Sequence, residues 1–295
     1  MANVREIVLA GKAQLQANTI SDVDAEIFIA HVLGVSRKEL HSFPSDLPEE
    51  DFLDVKRDFQ SLITQRINGV PTYYLVGEAP FRYLVLDVGP GVLIPRPETE
   101  LLVDAALREV KRIHGENQRR VSVVDLGAGS GAIAISIAWE AQQHGLPVTV
   151  VAVENSSEAL SWLQRNIQKY DVEIRVVHAD VGAALADVSC DIVITNPPYI
   201  PDTADLPSDV RREPAYALFG GKDGSQVPQY FVEAAARLLK PGGLLLIEHF
   251  ETHHPILARF MKKSFTDIVL HHDLANRPRW TSARRSEEDR HGAHN

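Results

Sequence analysis

Asn196-Pro197-Pro198-Tyr199 is the segment of this 295-residue chain whose residue types most narrowly fit a chemical task. It follows an apolar run, Asp191 to Thr195, that reads as a buried strand. Neither proline donates a backbone hydrogen bond, so the strand cannot continue, and the chain is stiffened directly after an asparagine. A rigid rim carrying one side-chain acceptor and one unpaired carbonyl can hold both hydrogens of a planar –NH2 group and leave the face of its nitrogen open to an electrophile. On this reading the Asn196 oxygen and the Pro197 carbonyl take the two hydrogens. Pro198 and Tyr199 complete the substrate rim, with Tyr199 against the amide plane. The competing reading is an ordinary Pro-Pro turn with Tyr199 packed beneath it.

A second candidate is Asp125-Leu126-Gly127-Ala128-Gly129-Ser130-Gly131, where another apolar strand turns into a helix. Glycines let backbone approach a ligand closely, and the carboxyl end of a parallel sheet offers a crevice lined by helix N-termini. Gly127, Gly129 and Ala132 also satisfy G-x-G-x-x-G/A, and Glu154 ends the next strand at the spacing of a ribose-binding acid, with two oxygens for two hydroxyls. On glycine spacing alone, NAD binding and a plain tight turn both stay open. Asp180-Val181 follows the third strand as a further candidate, against the alternative of a solvated strand-end acid.

These segments sit on a regular frame. Val121 to Asp125, Val148 to Glu154, Ile174 to Ala179, Asp191 to Thr195 and Leu244 to Glu248 read as buried parallel strands, with helices from Ala132, Ser157 and Val227 between several of them. That alternation predicts an α/β, doubly wound, mostly parallel sheet. Ahead of it a helix runs from Thr99 to about Arg112. The first 70 residues read as a small helical bundle: apolar spacings of three and four over 3–17, a helix from Asp22 to Leu33 with Ser21 as cap and Gly34 as stop, and a third from Pro48 to Asn68. Residues 71–93, rich in aromatic and β-branched residues and broken by glycine and proline, read as a β-hairpin linker. The catalytic domain is then 94–285, and the charged stretch 286–295 is expected to be disordered.

Composition narrows the function classes. A net charge of −10 and an acidic front segment oppose backbone-tracking nucleic-acid binding, so a protein partner suits the bundle better. The lone Cys190 rules out an intramolecular disulfide framework and reads as a small core residue. No stretch approaches a membrane span, and a cytoplasmic monomer is expected. His253-His254 and His271-His272, taken as strand neighbours facing opposite ways, do not read as metal ligands. Arg96 and Glu100 are read as interdomain contacts.

Three resemblances sharpen this. Asp125 ahead of Gly127, Gly129 and Gly131 resembles the D-x-G-x-G-x-G loop of class I methyltransferases, which implies S-adenosylmethionine as cofactor and a seven-stranded sheet. It assigns cofactor contacts to Asp125, Gly127, Ala128, Gly129, Ser130, Gly131, Glu154, Asp180, Val181 and Asn196, with Glu154 standing where that family usually has Asp. Asn196-Pro197-Pro198-Tyr199 resembles the motif of methyltransferases acting on exocyclic or amide nitrogens, with Asn196, Pro197 and Tyr199 in the catalytic positions. Thr72 to Glu78, Gly89 to Glu100 (with Pro95-Arg96-Pro97-Glu98), Glu213 to Gly224 and Asp273 to Arg279 together resemble the peptide-chain release factor N5-glutamine methyltransferases. That family methylates the glutamine of the Gly-Gly-Gln loop of class I release factors, which would enter between the two domains, with 1–70 as the recognition domain and no metal. Adenine-N6 nucleic-acid methylation and ribosomal-protein glutamine methylation are the alternatives. Glu248 to His254 departs from the family by lacking its usual Gly and Gln.

Overall fold

The computed structural model describes residues 3–287, which fall into two compact units: residues up to Glu78 together with Leu206–Arg212, and the remainder from Ala79. In the first unit, α1 (Val4–Ala17), α2 (Val23–Leu33) and α3 (Glu49–Ile67) bury Leu15, Phe28, Ile29, Phe59 and Ile63 against one another, the apolar faces that the three-and-four spacing marks out. Gly34 ends α2 in the left-handed region, as a C-terminal stop should. Ser21 is not the cap of α2. Asp22 occupies that position without a side-chain bond, and Ser21 Oγ accepts only a long 3.4 Å bond from the Val23 amide. Arg66 of α3 is held between Asp24 at 2.7 Å and Asp209 at 2.9 Å, so the short segment Leu206–Arg212 is tied to this unit although it lies far along the chain.

The stretch read as a hairpin from Pro71 onward begins as one helical turn, α4 (Thr72–Val76), closed by left-handed Gly77. The hairpin proper is β1 (Glu78–Phe81) and β2 (Leu84–Asp87). A 3-10 turn over Pro97–Thr99 then leads into α5 (Glu100–Asn117).

The second unit is built on β3 (Val121–Leu126), α6 (Ala132–Gln143), β4 (Val148–Glu154), α7 (Ser157–Tyr170), β5 (Ile174–His178), β6 (Cys190–Thr195), α8 (Ala215–Leu218), α9 (Gln226–Leu238), β7 (Leu239–Glu248), α10 (His254–Met261), β8 (Phe265–His272) and β9 (Pro278–Arg285). Seven strands form one sheet in the order β5-β4-β3-β6-β7-β9-β8, parallel through β7 and antiparallel at β9. Alternate residues of the central strands feed two cores. Val121, Val123, Ile192, Ile194, Leu244 and Leu246 pack with α5, α6 and α7, while Val124, Leu126, Val193, Leu245 and Ile247 pack with α9 and α10. The expected doubly wound, three-layer arrangement is therefore present. β7 starts five residues earlier than its apolar run, since Leu239 pairs with Cys190 before an irregularity in the ladder. Cys190 is buried in the second core, where burial pushes its thiol up to about 12. The stretch expected to be disordered lies outside the described residues beyond Glu287. No helix among the described residues is long and apolar enough to cross a membrane.

Candidate active site

The strand order reverses between β3 and β6, and in such sheets the crevice at the carboxyl ends of those strands is where a ligand fits. Their register sets Asp125 beside Ile194 and Leu126 beside Thr195, so the residues that follow, Gly127 and Asn196, leave the sheet as neighbours. Thr195 Oγ1 donates to the Leu126 carbonyl at 2.7 Å and ties the two strand ends together. A cavity of ≈ 340 Å³ opens there, of a size suited to a cofactor. Its lining takes in Gly127, Ala128, Gly129 and Ser130 of the loop and Glu154 from the end of β4. Asp180, Val181, Asn196 and Pro198 also line it, whereas Asp125, Gly131, Pro197 and Tyr199 do not.

Residues in the lining and behind it are held by specific contacts. Asp125 is fully buried and its Oδ2 accepts from the Ala134 amide at 3.1 Å, while Oδ1 has no partner among the described residues. Burial pushes its carboxyl up to about 8; the Ala134 hydrogen bond pulls the other way, and the charge of Glu154 adds to the rise. Gly131 sits at φ 87°, and a Cβ there would lie 2.6 Å from both Ile135 and Leu163. Only glycine lets the loop turn this close to α6 and α7. Glu154 is 7% exposed and holds three backbone amides: Gly129 at 2.8 Å through one oxygen, Asn155 at 2.9 Å and Ser156 at 2.8 Å through the other. Asp180 accepts from the Tyr230 hydroxyl and, at 2.9 Å, from the Gly182 amide.

At the rim, the Asn196 side chain donates through Nδ2 to Thr99 Oγ1 at 3.1 Å, and no hydrogen bond reaches its Oδ1 among the described residues. Thr99 donates in turn to Glu248 Oε2 at 2.6 Å, and the Tyr199 hydroxyl donates to the other Glu248 oxygen at 2.9 Å. Thr99 and Glu248 are buried, at 4% and 1% exposure. Burial raises the Glu248 carboxyl, opposed by the bonds from Thr99 and Tyr199. Burial likewise lifts Tyr199 well above the usual phenol range, helped by the charge of Glu248.

The backbone after the two prolines is braced from the far side. The Ile200 amide donates to the Leu218 carbonyl at 2.9 Å, the Gly220 amide to Ile200 at 2.8 Å and the Asp202 amide to Gly221 at 3.0 Å. At Gly220 a Cβ would lie 2.7 Å from the Pro198 carbonyl oxygen and 2.8 Å from Tyr199 Cα, so this approach needs glycine. Buried Glu213 anchors the same segment, accepting from the Ile94 amide at 2.9 Å and from Arg96 at 2.5 Å. Arg96 and Glu100 are thus engaged inside the α/β unit, Glu100 accepting from the Arg82 amide at 3.0 Å.

The divergent loop after β7 is held by histidines. His249 is buried, bonds Thr281 Oγ1 at 2.9 Å and the Phe250 carbonyl at 2.8 Å, and burial lowers it to about 4. His253 bonds the Asp223 carbonyl at 3.0 Å. His253 and His254 open α10 and are not strand neighbours; His271 and His272 do lie in β8. Residue spacing missed Thr99 and Glu248, although an acid at the carboxyl end of the strand beside β6 is a usable signal.

Residues 6–77 match the family model of the PrmC N-terminal domain, and residues 102–211 that of the methyltransferase small domain. The chain is 39% identical to the release factor glutamine methyltransferase of Mycolicibacterium smegmatis, across 97% of this chain and 99% of that protein. It is 32% identical to the protein of the same name from Coxiella burnetii, across 92% and 95%. Among solved structures, the T. thermophilus 16S rRNA N2 G1207 methyltransferase in complex with AdoMet and guanosine shares the fold. Its TM-score is 0.50 at 24% identity, covering 70% of this chain and 49% of that one.

Proposed function

From the premise that this chain belongs to the release factor glutamine methyltransferases, we propose that its rim and its glycine loop form one active site. The chain transfers a methyl group from S-adenosylmethionine to the side-chain amide nitrogen of a release factor glutamine, the one in the Gly-Gly-Gln motif. The observation that carries this is the β3–β6 register, which makes Gly127 and Asn196 neighbours on one cavity.

The cavity suits the cofactor: a carboxylate at the end of β4 faces a glycine loop, and a buried, unpartnered carboxyl oxygen lies beneath it. Glu154 would take the ribose hydroxyls, Asp180 and Val181 the adenine, and Gly127 to Gly131, with Asp125 beneath, the methionine portion. Bound there, S-adenosylmethionine supplies a methyl group already activated by its sulfonium. Asn196 Oδ1 and the Pro197 carbonyl accept the two amide hydrogens, and as the new C–N bond replaces the C–S bond one of those protons leaves for solvent, during or after transfer, giving the neutral N-methyl amide. The two acceptors fix the nitrogen and gather electron density on it, so orientation and electrostatics carry the rate. Pro198 and Tyr199 stiffen the rim. The helical unit serves as the recognition domain for the release factor. The chain acts as a cytoplasmic monomer, and it does so without binding nucleic acid, the last point supported by its net charge of −10.

Incubation of the full chain with S-adenosylmethionine and either purified release factor or DNA should give a methylated glutamine in the Gly-Gly-Gln peptide by mass spectrometry. Methyl transfer to DNA alone would replace this reading with the adenine one. A second expected outcome concerns Asp125. With its carboxyl at about 8, the free protein carries that group mostly protonated at neutral pH. A bound cation favours the ionised form, so binding releases protons, and affinity climbs as pH rises toward 8. Calorimetry in buffers of different ionisation enthalpy should show this release, and Asp125→Asn should abolish it. A release unchanged in that variant would assign the proton elsewhere.

A further inference from the structure

We infer that Thr99 and Glu248 are positioning residues that fix which end of the Asn196 carboxamide faces the substrate. This inference rests on the methyl-transfer reading above and extends it to Thr99, which also lines the cavity, and to buried Glu248, both acting through Asn196.

An asparagine side chain has nearly the same shape either way round, so packing alone does not decide whether its oxygen or its –NH2 points into a site. For the proposed chemistry the choice is decisive, because a substrate –NH2 must meet an acceptor. The hydrogen-bond chain settles it by donor counting. Thr99 and Tyr199 both present hydroxyls to Glu248, and these bonds with the charge of Arg279 favour its ionised form against burial; as a carboxylate it can only accept, and it lies 2.6 Å from Thr99 Oγ1. Thr99 has one hydroxyl hydrogen, so that hydrogen goes to Glu248, and toward Asn196 the hydroxyl oxygen is left as an acceptor. The atom of Asn196 at 3.1 Å from it must then be the donor Nδ2. Oδ1 is turned the other way, free of hydrogen bonds among the described residues, on a residue that lines the cavity.

Glu248 takes a second hydrogen from Tyr199 at 2.9 Å. Both ends of the Asn196-to-Tyr199 segment are therefore referred to one buried carboxylate at the end of the neighbouring strand, β7. Buried polar groups of this kind are costly unless each is satisfied, which gives the chain a single polarity.

Three variants of the full chain test this: Thr99→Val, which removes the hydroxyl at nearly constant shape, Thr99→Ser, which keeps it, and Glu248→Gln. The glutamine amide can donate to Thr99, which sends the threonine hydrogen to Asn196 and reverses the carboxamide. Thr99→Val should lower kcat on release factor about ten-fold, and Glu248→Gln by a smaller factor because its carboxamide can also present its oxygen to Thr99, with KM for release factor and cofactor affinity by calorimetry within about two-fold of the parent in both. Thr99→Ser should stay within about two-fold on all three measures. Unchanged kcat in Thr99→Val, or a Thr99→Ser as impaired as Thr99→Val, would overturn the inference. Should Thr99→Val fail to fold, Thr99→Ala takes its place, and unchanged kcat there overturns the inference equally. Failure of the parent protein to methylate release factor would instead defeat the underlying reading.

Discussion

Asn196→Ala should lower methyl transfer about a thousand-fold while cofactor affinity stays within about three-fold. The size follows from what the side chain is asked to do. Deleting one group that stabilises charge developing in a transition state typically costs a factor of about 10² to 10³. Here the same group also aligns the nitrogen, so the loss of orientation adds to it. The backbone carbonyl of Pro197 remains and can hold only one of the two hydrogens. The rim itself should survive the change, because its backbone is braced through Ile200, Leu218 and Gly220 and not through the asparagine side chain. Single-turnover transfer to release factor, with calorimetric cofactor binding on the same sample, separates chemistry from binding. Turnover within ten-fold of the parent would refute the assignment of the asparagine.

Glu154→Ala should produce the opposite pattern, a loss of cofactor affinity of at least about a hundred-fold. Removing a charged partner of a hydrogen bond costs roughly 1.5–3 kcal/mol, and two ribose hydroxyls would lose theirs. The variant should also melt lower. The amides of Gly129, Asn155 and Ser156 all lose the carboxylate that holds them, with the loop and the start of α7 affected together. A destabilisation of about 2 kcal/mol corresponds to roughly 4–8 °C in a domain of this size. Glu154→Gln keeps one carbonyl acceptor and should fall between the two. Cofactor affinity unchanged in Glu154→Ala would remove the ribose from this wall of the cavity.

Much of the site could be read before any coordinates because its parts lie at strand ends, where local chemistry is explicit. The prolines after Asn196 forbid continuation of β6, and the glycines after Asp125 mark the turn from β3 into α6. β3, β4 and β6 announce themselves as strands through continuous apolar runs, which suit a sheet covered on both faces, whereas their pairings come from the structure. β8 was harder to read. Most of its side chains are partly or fully exposed, so it lacks the apolar signature of the inner strands. The residue pattern alone did not separate it and β9 from loop, and the seven-stranded count came from family resemblance. Thr72–Val76 was also misleading, since aromatic and β-branched residues that favour strands form a helical turn ahead of Gly77. Least legible was the chain from Asn196 through Thr99 to Glu248. Its members are separated by 97 and 149 positions and meet only after the sheet has formed. A threonine at a helix start announces no such partner locally, and the strand-end glutamate signals only that a polar group stands beside the site.

The tight seat of Gly220 against Pro198 and Tyr199 bears on how a bulky protein loop can be admitted. With no room for even a methyl group between the two stretches, and three backbone bonds lacing them, neither can yield alone. The rim behaves as a doorframe. Whatever swings aside for an incoming polypeptide must be hung elsewhere.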